Sequence, residues 1–182
     1  MPLAKPKMWS VEVCDWLRSK YCYDSLTGDI ERVDGLAIKL HVASNGYLQL
    51  RVTNARLGVR GYIAAHRLAW FFHHGTFPAL EIDHIDHVKT NNAIVNLRLA
   101  SRANNHRNGT KKVRRSGGTF TSKYRGVSWS KKDGRWVAMI GIDGRTRFLG
   151  GFVSEEGAAD AYDKAAAVHF GVFANLNRTD VP

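Results

Sequence analysis

Cysteine is nearly absent from this chain, with only Cys14 and Cys22 in 182 residues. Two thiols cannot build a disulfide framework, and they are too few for a zinc knuckle. Long apolar runs are missing too, so nothing reads as a bilayer span and no membrane partner is expected. The opening MPLAKPKMWSVEV carries charge without a continuous apolar core, so no signal peptide is expected and the chain is placed in the cytoplasm. Acid is the scarcer charge, 16 Asp plus Glu against 27 Lys plus Arg, for a formal net charge of +11. That excess favours a polyanionic partner, nucleic acid before any other. The length accommodates one ordinary domain or two small modules.

What is present reads as an α+β chain in two parts. Val13, Trp16, Leu17 and Tyr21 recur at helical spacing behind Ser10, a residue suited to an N-cap, so a short amphipathic helix should open the fold. After Thr27-Gly28, the β-rich stretches 29–33, 36–42 and 47–53 predict a small antiparallel sheet, with Asn45-Gly46 as a hairpin turn. A strand near 61–65 leads to a helix over 66–74, closed by Gly75 in the left-handed C′ position. From Asn108 to Lys123 the sequence NGTKKVRRSGGTFTSK has no acid and little to bury, which predicts a linker. Lys111, Lys112, Arg114 and Arg115 would lie there along phosphates, giving affinity with little sequence choice. Beyond it, Lys132-Asp133-Gly134 and Asp143-Gly144 separate three β stretches. Ser154 then caps a helix whose first turn carries Glu155 and Glu156. Ala158, Ala161, Tyr162, Ala165 and Val168 are its expected apolar stripe, leaving a sheet with one covered face and one free.

Between the two parts stands IDHIDHVKTNNAIVNLRLASRANNHRN, residues 82–108. It sets Asp83 and His84 ahead of Asn91, Asn92, Asn96, Asn104 and Asn105. A carboxylate offers a hard oxygen ligand, a histidine a titratable nitrogen, and asparagine a neutral oxygen that ligates a metal or locks a loop. That combination is the chemistry of a metal-dependent nuclease, although a lone Asp-His pair is usually only a surface turn. HRLAWFFHHG followed by P..EIDHID....NN...NLR.A....N..N resembles the HNH homing endonucleases of phages and mobile introns. The resemblance runs from about Tyr23, at YDSLTGDIERV, through GYLQLRV to Asn108. It implies a ββα-metal module over about 64–107, within a nuclease domain of 1–107 followed by the linker 108–121. Asp83 would be the first metal ligand, His84 the general base, Asn96 a catalytic-site residue bracing the hairpin, and Asn105 the second ligand with Asn104 as its competitor. His87 departs from the family, which usually has a small turn residue such as Gly there.

The segment 122–182 carries YRGV, RWVA.I, FLGGF, EE.AA.AYD.AA and A.LN, and resembles the plant ethylene-response-factor (APETALA) DNA-binding domain. That family lays the free face of its sheet in the major groove. Arg125 is the carried-over contact, with Trp129, Arg135, Arg145 and Arg147 as candidates by exposure and charge. Ser128, Met139 and Gly141 depart from the plant pattern at contact positions. Packing is the default role for Trp70, Phe71, Phe72, Trp136 and Phe152. His66 reads equally as a brace of the site or a core histidine, and His73, His74, His87 and His106 have no role that the sequence settles.

Together these readings imply an endonuclease that hydrolyses a phosphodiester of double-stranded DNA with one divalent cation, magnesium first and manganese second. One motif cuts one strand, so a monomer should nick, and a dimer is the route to a double cut. If phage-encoded, it would act in the host cytoplasm. Two other classes compete: a sequence-specific DNA-binding regulator with a degenerate nuclease site, and an RNA-binding accessory protein. Asp83, His84 and Asn105 all being present favours the enzyme, and familiar RNA-module signatures are missing.

Overall fold

The computed structural model describes residues 9–108 and 122–178, and divides into two compact units, Met1–Arg102 and Ala103–Pro182. The expected linker, with Lys111, Lys112, Arg114 and Arg115, lies outside the described residues apart from its ends.

The first unit opens with α1 (Val11–Lys20), which buries Val13 and Leu17. Ser10 stands at its N-cap position but its side chain makes no capping bond; the backbone carbonyl accepts from Val13 and Cys14 instead. Tyr21, expected to end the helix, begins β1 (Tyr21–Tyr23), which pairs antiparallel with β2 (Ile30–Arg32). The single sheet expected from three β-rich stretches is therefore two, and the first stretch belongs to a separate hairpin. Asp24 is the reason: its carboxylate accepts from Leu26 N at 2.8 Å, while its backbone bonds both Gly28 and Asp29, folding 24–29 into a closed turn. The second sheet has β4 (Leu48–Asn54) between β3 (Leu40–Val42) and β5 (Val59–Ala64). The chain then enters α2 (Ala65–His74), which ends on Gly75 at φ 79° as expected, Gly75 N donating to Phe71 O at 2.8 Å.

Leu50, Val52 and Ile63 of this sheet meet Leu17, Ile30, Leu68 and Phe71 in one core, with Phe77 stacked on Phe71 at 4.6 Å. The other side of α2 carries Ala69, which packs on Ile82 and Leu97. Those two residues belong to β6 (Glu81–His84) and β7 (Leu97–Ala100), an antiparallel pair joined by a long loop with a short 3-10 turn at Ile94–Asn96. The apolar residues of the hairpin thus anchor it to α2 and set where its polar residues sit. α3 (Arg102–Asn108) follows, all but its first residue falling in the second unit.

In the second unit β8 (Val127–Ser130), β9 (Arg135–Ile142) and β10 (Arg145–Phe152) form an antiparallel sheet in sequential order. Asp143 and Gly144 both have positive φ, 50° and 76°, as a two-residue primed hairpin turn requires. α4 (Glu155–Phe170) is capped by Ser154, whose hydroxyl accepts from Gly157 N at 3.1 Å. Ala158, Ala159, Tyr162 and Ala166 bury against Val127, Ala138, Ile140 and Ile142. Val168 is a correction, because it is 81% exposed. Ten residues on from Ala158 at roughly 100° each carry it past the covered face. Gly126 lies under Tyr162: a β-carbon there would stand 2.2 Å from the ring and 2.5 Å from Met139 O. Asp163 accepts from the backbone of Asn177 and Arg178, and Asn177 in turn bonds both the N–H and the carbonyl of Arg125. Residues of YRGV, AYD and LN are thus the parts that clamp this unit together.

Candidate functional site

The register Asp83↔Arg98 and His84↔Leu97 puts the Asp-His pair at the end of β6, both side chains buried. Asp83 Oδ2 receives two bonds from Arg98 across the ladder, Nε at 2.8 Å and Nη2 at 2.7 Å. A carboxylate this enclosed needs such a partner, since burial alone would disfavour its charge.

The loop after His84 is organised by Asp86, to which the sequence reading assigned no role. Its carboxylate accepts from Val88 N (2.8 Å), Asn91 Nδ2 (2.7 Å) and Asn96 Nδ2 (2.9 Å). Desolvation works against its charge, but those hydrogen bonds outweigh it and hold the carboxyl below the ordinary carboxylate range. Asn96 is buried and saturated: Oδ1 accepts from Asp86 N, Nδ2 also donates to Asn91 O, and its carbonyl accepts from Ile85 N. These bonds tie both ends of the hairpin loop to one side chain. His87 occupies the left-handed region at φ 63°, which is what the family's small turn residue would supply with less strain.

His84 is held by Asn92, again a residue that the sequence reading left without a role. His84 Nε2 lies 3.3 Å from Asn92 Oδ1. An amide oxygen only accepts, so with this amide orientation the proton sits on Nε2 and the basic lone pair on Nδ1. Asn92 is 2% exposed and fixed in turn: its side chain reaches Thr90 O, and its carbonyl accepts from Tyr23 OH at 2.8 Å. Gly28, at φ 86°, presses on the same segment; a β-carbon would come within 2.4 Å of Ala93 N. That close approach leaves no room for a side chain at the glycine of YDSLTG.

Two further rings enclose His84. His66, on the first turn of α2, meets it edge-on at 5.3 Å, and Tyr47 lies 5.6 Å from His84 and 5.0 Å from His66. Lys89 sits 4.9 Å over the Tyr47 ring and donates to Asn45 O at 2.8 Å, tying the Asn45-Gly46 turn to the hairpin loop. Burial chiefly depresses the His84 pKa, against the opposing pull of Asn92, Asp86 and Asp83, so its imidazole is neutral at physiological pH. His66 is depressed further, to about 3, by burial first and then by the neighbouring His84 and Arg67 charges. Its Nδ1 is buried and makes no hydrogen bond.

Asn104 and Asn105 stand at successive, half-buried positions of α3. Successive helical residues diverge by roughly 100°, so the two point in different directions. No group of three or more His, Cys, Asp or Glu side chains that could hold a metal ion occurs among the described residues.

In the second unit, the register sorts the candidate contacts. Ile140 and Ile142 face α4, so their partners Arg147 and Arg145 share that side of the sheet, as Trp129 does by pairing with Trp136. Trp129 is 40% exposed and meets Trp136 edge-on at 5.2 Å. The free face instead presents Ser128, Ser130, Arg135, Met139, Gly141, Thr146 and Phe148. Phe148 is 67% exposed and pairs directly with Met139. Arg125 lies in the turn before β8.

Residues 63–107 match the HNH endonuclease family. The HNH segment thus takes in the end of β5, α2 and the whole β6–β7 hairpin. Over 67 residues, 37% of it, the chain is also 42% identical to APETALA2-like protein 2 of Oryza sativa subsp. indica. It is equally similar over the same length to the AP2-like ethylene-responsive transcription factor TOE2 of Arabidopsis thaliana. The chain spans only about 15% of the length of the curated relatives it matches. A solved structure described as DNA binding and cleavage by the HNH homing endonuclease I-HmuI aligns at 21% identity, covering 84% of this chain and 86% of that one, with a TM-score of 0.44. Among the described residues no helix is long and apolar enough to cross a membrane.

Proposed function

We propose that this protein is a DNA endonuclease that hydrolyses a phosphodiester of duplex DNA, with His84 as general base and a divalent cation held by Asp83 and Asn105. The observation that carries the reading is the state of His84 inside the HNH segment: buried, neutral, pinned at Nε2 by Asn92, and beside Asp83. The donor chemistry fits a hard cation, since a carboxylate and an amide offer oxygens, and no His- or Cys-rich cluster among the described residues suggests a zinc cage. Magnesium suits that set best, with manganese as its substitute. When bound, the cation would offset charge on the phosphate and on the departing 3′-oxygen.

His84 Nδ1, a buried atom in the free protein, takes a proton from the attacking water as the water oxygen bonds to phosphorus and the bond to the 3′-oxygen breaks. The leaving oxygen is protonated from solvent, giving 5′-phosphate and 3′-hydroxyl ends. A positioned base of this kind is worth roughly 10²- to 10⁴-fold in rate. Asn96 acts by holding the loop, and Asn92 by fixing the tautomer.

The proposed division of labour gives 1–107 the chemistry and 122–182 the reading of duplex DNA, joined through the basic stretch 108–121. Arg125 and Arg135 are the first contacts proposed; Trp129, Arg145 and Arg147, which the register puts on the helix side of the sheet, are secondary to them, and Lys111, Lys112, Arg114 and Arg115 lie along phosphates in this reading. As a monomer with one site it would nick a single strand. The test is digestion of a duplex library with and without Mg²⁺, mapping cut strands and flanking sequence. Mg²⁺-dependent nicks with 5′-phosphate ends are expected. Tight duplex binding without cleavage in Mg²⁺ or Mn²⁺ would instead identify a DNA-binding regulator.

A further inference from the structure

Arg98 is a charged side chain that the geometry aims directly at the proposed ligand Asp83. The pair is set by the β6–β7 register, not by a flexible surface encounter, and Asp83 and Arg98 side chains are only 6% and 18% exposed. Both Arg98 donors converge on one carboxylate oxygen, Oδ2, at 2.8 and 2.7 Å, which fixes the plane of the carboxylate in the strand. A guanidinium and a carboxylate cancel in formal charge, so the pair presents no net charge to a passing cation. A divalent ion approaching Asp83 therefore meets a carboxylate that is already compensated, in a site where screening by water is reduced.

We propose that Arg98 is a positioning residue that makes cation capture depend on DNA: it orients Asp83 for ligation while offsetting its charge, so the ion is held firmly only when a DNA phosphate adds its own. This rests on the reading of Asp83 as a metal ligand. It sets an order of events in which duplex engagement precedes firm metal loading, and it leaves the free protein with a weak affinity for the ion.

The test uses the full chain and Mn²⁺ itself, followed by paramagnetic resonance of the free ion, without DNA and with a duplex in a His84→Ala background that does not cut. Arg98→Gln removes the charge and Arg98→Lys keeps it while losing the two-pronged grip. Without DNA, Arg98→Gln should bind Mn²⁺ about 3- to 10-fold more tightly than the parent, because a compensating charge is gone. It should nevertheless cleave at least about tenfold more slowly at saturating Mg²⁺, a loss in kcat, because the carboxylate is no longer held. Arg98→Lys should keep the parent Mn²⁺ affinity and lose kcat, and added duplex should tighten Mn²⁺ binding less in Arg98→Gln than in the parent. A merely structural arginine would lower Mn²⁺ affinity, rate and melting temperature together, which would overturn the proposal. If Arg98→Gln does not fold, Arg98→Lys decides alone, and cleavage at the parent rate overturns it. Asp83→Asn is the separate control: Mn²⁺ binding unchanged there would remove Asp83 as a ligand, whatever the Arg98 variants do.

Discussion

The HNH hairpin and the C-terminal sheet carry their polar residues in opposite ways. In the hairpin, Asp83, His84, Asn92 and Asn96 are all buried and each is held by at least one named partner. On the free face of the C-terminal sheet, Arg135, Met139 and Phe148 are exposed, and what is clamped is the framework behind them, through Gly126, Asp163 and Asn177. On the proposed function the contrast has a reason: chemistry needs groups fixed before substrate arrives, whereas groove reading needs side chains free to adapt to base edges. One region invests its hydrogen bonds in the functional residues themselves, the other in the platform.

The sharpest way to break that contrast is His84→Ala, which should cut the rate by roughly 10²- to 10⁴-fold in single-turnover cleavage while leaving duplex affinity in a binding titration unchanged. Cleavage near the parent rate would remove His84 from the chemistry. Asn96→Ala should cost about 2–4 kcal/mol in denaturant unfolding together with most activity, since it leaves Asp86 N and Asn91 O without their buried partner. Full stability with no activity would show that Asn96 takes part directly. On the other side of the comparison, Arg135→Ala and Phe148→Ala should each weaken duplex binding by about 1–3 kcal/mol with melting unchanged.

A fourth experiment uses pH. His66 is neutral in the folded state, with its pKa near 3 against an ordinary 6.5. The unfolded chain therefore binds a proton that the folded chain refuses. The stability contributed is complete above pH 6.5 and is lost at up to about 1.4 kcal/mol per unit as pH falls from there toward 3. Denaturant unfolding across that range should show the slope, and His66→Phe should flatten it. Smallest of all, Ser154→Ala should cost about 1 kcal/mol in melting of the C-terminal unit through its lost cap.

Much of this was readable from residues alone, where local chemistry decides. Asn45-Gly46, Asp143-Gly144, Gly75 and Ser154 each dictate a turn or cap, and the structure puts those turns and caps where expected. The Asp-His pair and Asn96 were singled out by the resemblance whose motif they match. Asn92 was not, because five asparagines share one chemistry and only the folded loop brings one of them to His84. Arg98 was hidden for a similar reason, since its partner is set by cross-strand register. The sides taken by Arg145 and Arg147 could have been counted from the two-residue turn before them. Exposure and charge, used in place of that count, do not distinguish a free face from an edge strand overhanging the helix. The separate β1–β2 hairpin depended on Asp24 closing its own turn, a bond that hydrophobic pattern does not report.

The contact of Gly28 with the Asn92–Ala93 backbone has a bearing on transplantation. Tyr23 OH on Asn92 O and Ile94 N on Ser25 O join the same two segments, some 69 residues apart in sequence. A fragment cut to the family-matched stretch 63–107 would keep the Asp-His pair and Asn96, yet it would lose the wall against which Asn92 is set. A graft of this hairpin would need to begin upstream of Tyr21, because the part that looks like a preface is one side of the mould.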